Sequence, residues 1–196
     1  MSMIGPATEH FESIEPGSAV ALKLSVDIYL DVIRALMENF APSRNLDVIY
    51  ISSSIPSDSI LQVLQVLEVN QENIYFVDCI SHIMMGASLN NPKVIYVESP
   101  TMLETLMLKV EYLTRRLPDS KKVVVIDSIN TLAIHNDKNI LSEFFHIMVN
   151  NLRSKEAYTL IFDTDGTDNE DIANMLALVC DNIIEMQPPQ GGEGDE

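Results

Sequence analysis

Short apolar runs and helical stripes alternate along the chain. Residues 18–24 (SAVALKL) put Val20, Leu22 and Leu24 on one side and Ala19, Ala21 and Lys23 on the other, the two-residue period of a strand. Tyr29, Val32, Ile33, Leu36 and Phe40 then recur at helical spacing, which predicts a helix over 26–40 with Ser25 as its N-cap. The alternation continues with strands at 46–51, 73–77, 93–97, 157–162 and 182–186. Helices are predicted from Pro56–Ser57 through Leu67, from Ser99-Pro100-Thr101 with Glu104 to about 117, over 139–152, and over 168–179 behind a Thr167/Glu170 capping box. Residues 42–45 and 131–137 read as loops, and 79–92 as a loop or short helix.

One run differs from the rest. Val123 to Ile126 is continuously apolar and β-branched, too short for a helix, and reads as a strand buried on both faces at the centre of a parallel sheet. Strands alternating with helices predict one α/β domain, a central, mainly parallel sheet flanked by helices, over residues 17–187. Residues 1–16 have no period and read as a flexible lead-in closed by the Pro16-Gly17 turn. Residues 188–196 (PPQGGEGDE) read as a disordered acidic tail.

Composition narrows the functional classes. A net charge of −17 with only 12 Lys and Arg, and no run of them, argues against a nucleic-acid surface. No apolar stretch long enough to span a bilayer and no basic leader with an apolar core occurs, so the expectation is a cytoplasmic protein without a membrane partner. Cys79 and Cys180 fit neither a metal spacing nor a disulfide framework and read as buried thiols. His10, His82, His135 and His146 show no ligand spacing.

Asp127 carries the first candidate chemistry. It arrives at the carboxyl end of the central strand, the sheet edge where α/β proteins bind ligands and where an acid commonly holds a nucleotide's magnesium. A phosphate cradle of the form G-x-x-x-x-G-K-[ST] belongs between residues 18–24 and the next helix, and the sequence contains none; Lys23-Leu24-Ser25 runs straight into the helix. The densest acidic stretch, Asp163 to Asp171, has its glycine fourth rather than sixth and so fails the calcium-loop pattern. Arg115-Arg116 suits the negative end of its helix better than a role as an arginine finger. Met84-Met85 reads as ordinary core filling, with an adaptable contact surface as the alternative.

The order of motifs resembles the RecA/KaiC-like ATPases from Ser18 to Met186: GSAVALKLS, VIYIS, IYFVDC, VVVIDSINTL, LRSKEAYTLIF and LVCDNIIEM. The resemblance is to small archaeal KaiC-like proteins, with Asp127 and Ser128 at the Walker-B-like position and a P-loop lacking. It implies a three-layer RecA-like domain. It also implies one or two acidic residues after the second strand to activate water, where this chain has Ser53 and Ser54. A hydroxyl without a partner base does not do that work near neutral pH.

Three functions fit these readings: a non-catalytic RecA-fold protein acting through its surface, as a regulator or beside an active ATPase; a sensor binding ATP by unusual contacts; and a divalent-metal enzyme built on Asp127, Asp163 and Asp165. The first is favoured, with no catalytic residue, cofactor or metal expected. The expected partner is another protein, together with a homodimer in which the loop at 80–86 (Ile80, Ile83, Met84, Met85) is the candidate contact.

Overall fold

Val123, Val124, Val125 and Ile126 are all fully buried, and their strand β5 (Lys122–Asp127) is the middle one of seven, in the order β4-β3-β2-β5-β6-β1-β7. The structure, a computed structural model, describes residues 2–85, 90–117, 121–164 and 169–187. The other strands are β1 (Ala19–Leu24), β2 (Asp47–Ser52), β3 (Ile74–Asp78), β4 (Val94–Tyr96), β6 (Tyr158–Asp163) and β7 (Asn182–Met186). Every pairing is parallel, so the sheet is parallel throughout. Parallel neighbours need crossovers, and helices supply them on both faces.

Side-chain parity assigns the layers. Val20, Leu22, Tyr50, Phe76, Val125, Leu160 and Phe162 point to one face. It is covered by α1 (Ile4–Glu12), α4 (Ser57–Val66) and a continuous helical stretch over 26–43. Ile49, Ile51, Val77, Val124, Ile126 and Ile161 point to the other. There α6 (Leu103–Arg116), α7 (Ile129–His135), α8 (Lys138–Arg153) and α9 (Glu170–Val179) pack. The result is a three-layer α/β domain.

The helix after β1 is not uniform. A 3₁₀ turn (Val26–Ile28) leads into α2 (Tyr29–Arg34), a π-helical segment (Ala35–Phe40) and α3 (Ala41–Ser43). The predicted loop at 42–45 is therefore partly helix. Ser25 occupies the N-cap position but makes no capping bond, and its Oγ is buried without a partner among the described residues.

Other expectations are corrected. The lead-in forms α1, with Ala7 and Phe11 fully buried. Phe11 lies 5.6 Å from Phe40, and Arg44 holds the end of the helix by donating to Glu12 O (2.6 Å), Ile14 O (3.0 Å) and the Tyr158 hydroxyl (2.7 Å). Gly17 follows with φ +79°, a conformation that favours glycine. Residues expected as a loop at 131–137 largely belong to α7, whereas the expected loop or short helix at 79–92 does contain a short helix, α5 (Ser81–Met85). Ser99 caps nothing in α6: its Oγ accepts the Thr101 N–H, and the helix begins at Leu103. In α9 the cap is Asn169, which accepts from Asp171 and Ile172; Thr167 and the tail at 188–196 lie outside the described residues. No helix among the described residues is long and apolar enough to cross a membrane.

Candidate functional site

Asp127 ends β5 with its side chain on the same face as Val125, under the helical stretch that follows β1. It is 1% exposed. Tyr50 approaches from β2 and donates its hydroxyl to Asp127 Oδ2 at 2.7 Å. Tyr29, in the first turn of α2, donates to the same oxygen, and the two phenol oxygens are 3.1 Å apart. Phe162 meets both tyrosine rings edge-on, with centroids 6.3 and 6.4 Å away. Burial raises the Asp127 carboxyl above its usual range, and the two hydroxyls work against that rise. Tyr29 and Tyr50 are both pushed well above the ordinary phenol range, first by burial and then by the Asp127 charge.

The position of Tyr29 follows from a short connection. Only Ser25 lies between the last residue of β1 and the 3₁₀ turn, so the helix starts at the sheet edge and its first turn places a phenol over Asp127. One oxygen of the Asp127 carboxyl thus accepts two hydroxyls between aromatic side chains, the hydrogen bonding a buried polar group requires.

Ser53 bonds the backbone at the end of β5, and Ser54 bonds side chains just beyond it. Ser53 N donates to Asp127 O (2.8 Å), Ser53 Oγ to Asp127 O (2.9 Å), and Ser128 N to Ser53 Oγ (3.0 Å), across the cis Asp127–Ser128 peptide. Ser54 Oγ lies 3.0 Å from Ser128 Oγ and 2.7 Å from Thr131 Oγ1. These hydroxyls join the segments that follow β2 and β5.

Asp78, the corresponding residue of β3, is fully buried. Its Oδ2 accepts Ser57 N (2.8 Å) and Ser81 Oγ (2.6 Å), and its Oδ1 accepts Ile80 N (3.0 Å) and Ser81 N (2.8 Å). One carboxylate thus holds the starts of both α4 and α5. Beside it, burial and the Asp78 charge push the Cys79 thiol up to about 12, which leaves it inert at neutral pH.

Asp127 and Asp163 of the proposed acidic trio are not brought together. In the register Asp127 pairs with Phe162, so Asp163 is one residue further and faces the opposite side of the sheet. There Asn130 Nδ2 donates to Asp163 Oδ1 (2.8 Å) while Asn130 Oδ1 accepts Thr164 N (2.8 Å). Asp165 lies outside the described residues. Among the described residues no group of three or more His, Cys, Asp or Glu is placed to hold a metal ion. The four histidines are exposed and lie on separate elements. Arg115 and Arg116 close α6 just before β5 begins, at the sheet edge away from Asp127, where they meet Glu111 and the Tyr112 ring.

Sequence reasoning singled out Asp127 but missed Tyr29 and Tyr50. The one available signal was the tyrosine inside the apolar run VIYI, since a phenol in a core strand requires a hydrogen-bond partner.

No protein-family model matches the chain, and no curated protein matches it significantly. Solved structures do. An uncharacterised protein from Pyrococcus horikoshii, in complex with an unknown peptide, superposes with a TM-score of 0.69 at 14% identity, over 99% of this chain and 87% of that one. A KaiC-like protein from Pyrococcus horikoshii OT3 gives 0.59 at 11% identity, over 89% and 74%. The fold is RecA/KaiC-like.

Proposed function

We propose that this chain is a non-catalytic RecA/KaiC-fold protein that acts through its surface, as a regulatory or scaffolding module for another protein. The observation that carries the reading is the pair of tyrosine hydroxyls on Asp127: the acid at the Walker-B-like position is occupied by the protein's own side chains. The single-residue connection at Ser25, in place of a glycine-rich phosphate loop, supports it. So do the bonds of Ser53 to the Asp127 backbone and of Ser54 to the Ser128 and Thr131 hydroxyls. A partner of peptide or protein chemistry is favoured because a structural neighbour was solved with a peptide bound.

Calorimetric titration with magnesium-ATP, together with a phosphate-release assay, tests the reading. The expected result is no heat of binding up to millimolar nucleotide and no turnover. Micromolar binding, or turnover that disappears in Asp127→Ala, would overturn it.

A further inference from the structure

The helical layer of α6 and α8 is not closed on its outer side. Between these helices runs a groove of about 450 Å³, walled by Met107, Leu108, Phe144, Ile140 and Ile147. Leu108, Ile140 and Ile147 are 63%, 59% and 46% exposed. On α8 the apolar residues Ile140, Phe144 and Ile147 form a helical stripe on the flank that lines the groove with α6; Phe144, at its base, is buried in the core and the other two are exposed. The rim is acidic: Glu104 and Glu111 on α6 and Glu143 on α8. Glu111 is already engaged by Arg115, whereas Glu104 and Glu143 make no ion pair among the described residues.

We propose that this groove docks a basic amphipathic helix of a partner protein, its apolar stripe seated on Leu108 and Ile147 and its Lys or Arg residues against Glu104 and Glu143. Charge selects this occupant. A second copy seated groove to groove would set the carboxylates of Glu104, Glu111 and Glu143 against the same three carboxylates of its partner. The chain's own last residues (GGEGDE) offer neither apolar anchors nor cations. An anionic membrane would be repelled by the same carboxylates. A helix with anchors at i, i+3 or i+4 and i+7 and a cationic flank satisfies both features of the groove. The inference deepens the interaction role proposed above, and it fails separately from it, because the nucleotide titration does not involve α6 or α8.

The probe is a fluorescein-labelled helical peptide of about 18 residues, Leu along one stripe and Lys elsewhere, titrated by anisotropy with the full chain. The controls are a scrambled peptide of equal composition and a version with Glu for Lys. Saturable micromolar binding is expected for the amphipathic peptide alone, weakened about tenfold or more by Leu108→Asp or Ile147→Asp. The pair Glu104→Gln and Glu143→Gln should weaken it less and flatten its salt dependence. Both apolar sites are exposed, so the variants should keep the wild-type circular dichroism and melting temperature. The proposal is overturned by absence of saturable binding, by equal binding of the scrambled peptide, or by groove variants that bind unchanged. Light scattering that shows the groove variants converting a dimer to a monomer would also overturn it, by assigning the face to a second copy.

Discussion

Tyr50 and Asp127 stand on adjacent parallel strands, and the tyrosine hydroxyl lies 2.7 Å from the carboxylate oxygen that Tyr29 also reaches. Hydrogen bonds to a buried charged acceptor are worth more than neutral ones, and removing a donor leaves part of the acceptor's desolvation cost uncompensated. Tyr50→Phe should therefore destabilise the protein by about 1–3 kcal/mol in urea unfolding. Tyr29→Phe should cost a similar amount, and the double variant less than the sum because the two hydroxyls share one oxygen. Strict additivity in that cycle would show that the hydroxyls act independently.

Asp127 also sets a pH dependence whose sign follows from its raised carboxyl. The native state holds this proton more tightly than the unfolded chain, whose carboxyl titrates near about 3.9. Stability from this group is therefore greatest below the unfolded value and declines as pH rises through the folded one. Measured against Asp127→Asn, the wild type should lose ground as pH climbs through that window. Asp181 behaves oppositely: burial works to raise it, but the Ala19 N–H and the Arg153 guanidinium prevail and lower it. Its contribution is present above the unfolded value and fades as pH falls through the folded one, so the deficit of Asp181→Asn should shrink in acid.

Asp78→Ala removes the acceptor for three backbone N–H groups at the starts of two helices. A loss of about 3 kcal/mol is expected, with faster hydrogen exchange at Ser57 and Ser81. Asp78→Asn, which keeps one carbonyl oxygen, should recover part of it.

The docked amino-terminal helix predicts that Phe11→Ala costs about 3–5 kcal/mol, as for other fully buried phenylalanines. Arg44→Met should loosen the same helix by freeing the carbonyls of Glu12 and Ile14. Exchange at Phe11 that is as fast as in an unfolded chain would contradict both expectations.

Self-association is expected through the exposed end of the β3–β4 connection, where Ile83 and Met84 in α5 are open to solvent. Light scattering should give a dimer, and Met84→Glu a monomer. A monomer at tens of micromolar, or a dimer indifferent to Met84→Glu, would remove the oligomer or its contact.

The sheet was legible because its strands announce themselves locally. Val123 to Ile126 can be buried on both faces only at the centre of a parallel sheet, and that is where β5 lies. Helix α7 was hidden because Asn130, Thr131 and Asn136 look like loop residues; Asn130 is polar because it must bond Asp163 and Thr164. Helix α1 was masked by Gly5 and Pro6, and only the spacing of Ala7 and Phe11 hinted at it. The separation of Asp127 from Asp163 depends on the pairing of β5 with β6, which no single strand carries in its own sequence. The Tyr29–Tyr50–Asp127 cluster likewise joins three elements far apart in the chain.

On the non-catalytic reading proposed above, the single residue between β1 and its helix also sets how far this chain stands, in mutational terms, from one with a phosphate loop. A glycine-rich turn that wraps phosphates needs several more residues than Ser25 supplies, and lengthening the chain there would displace the first helical turn that carries Tyr29. No series of side-chain replacements reaches that arrangement. A designer wishing to install a phosphate loop would have to insert backbone there and free the Asp127 carboxyl from its two tyrosines, two changes at separate elements of the fold.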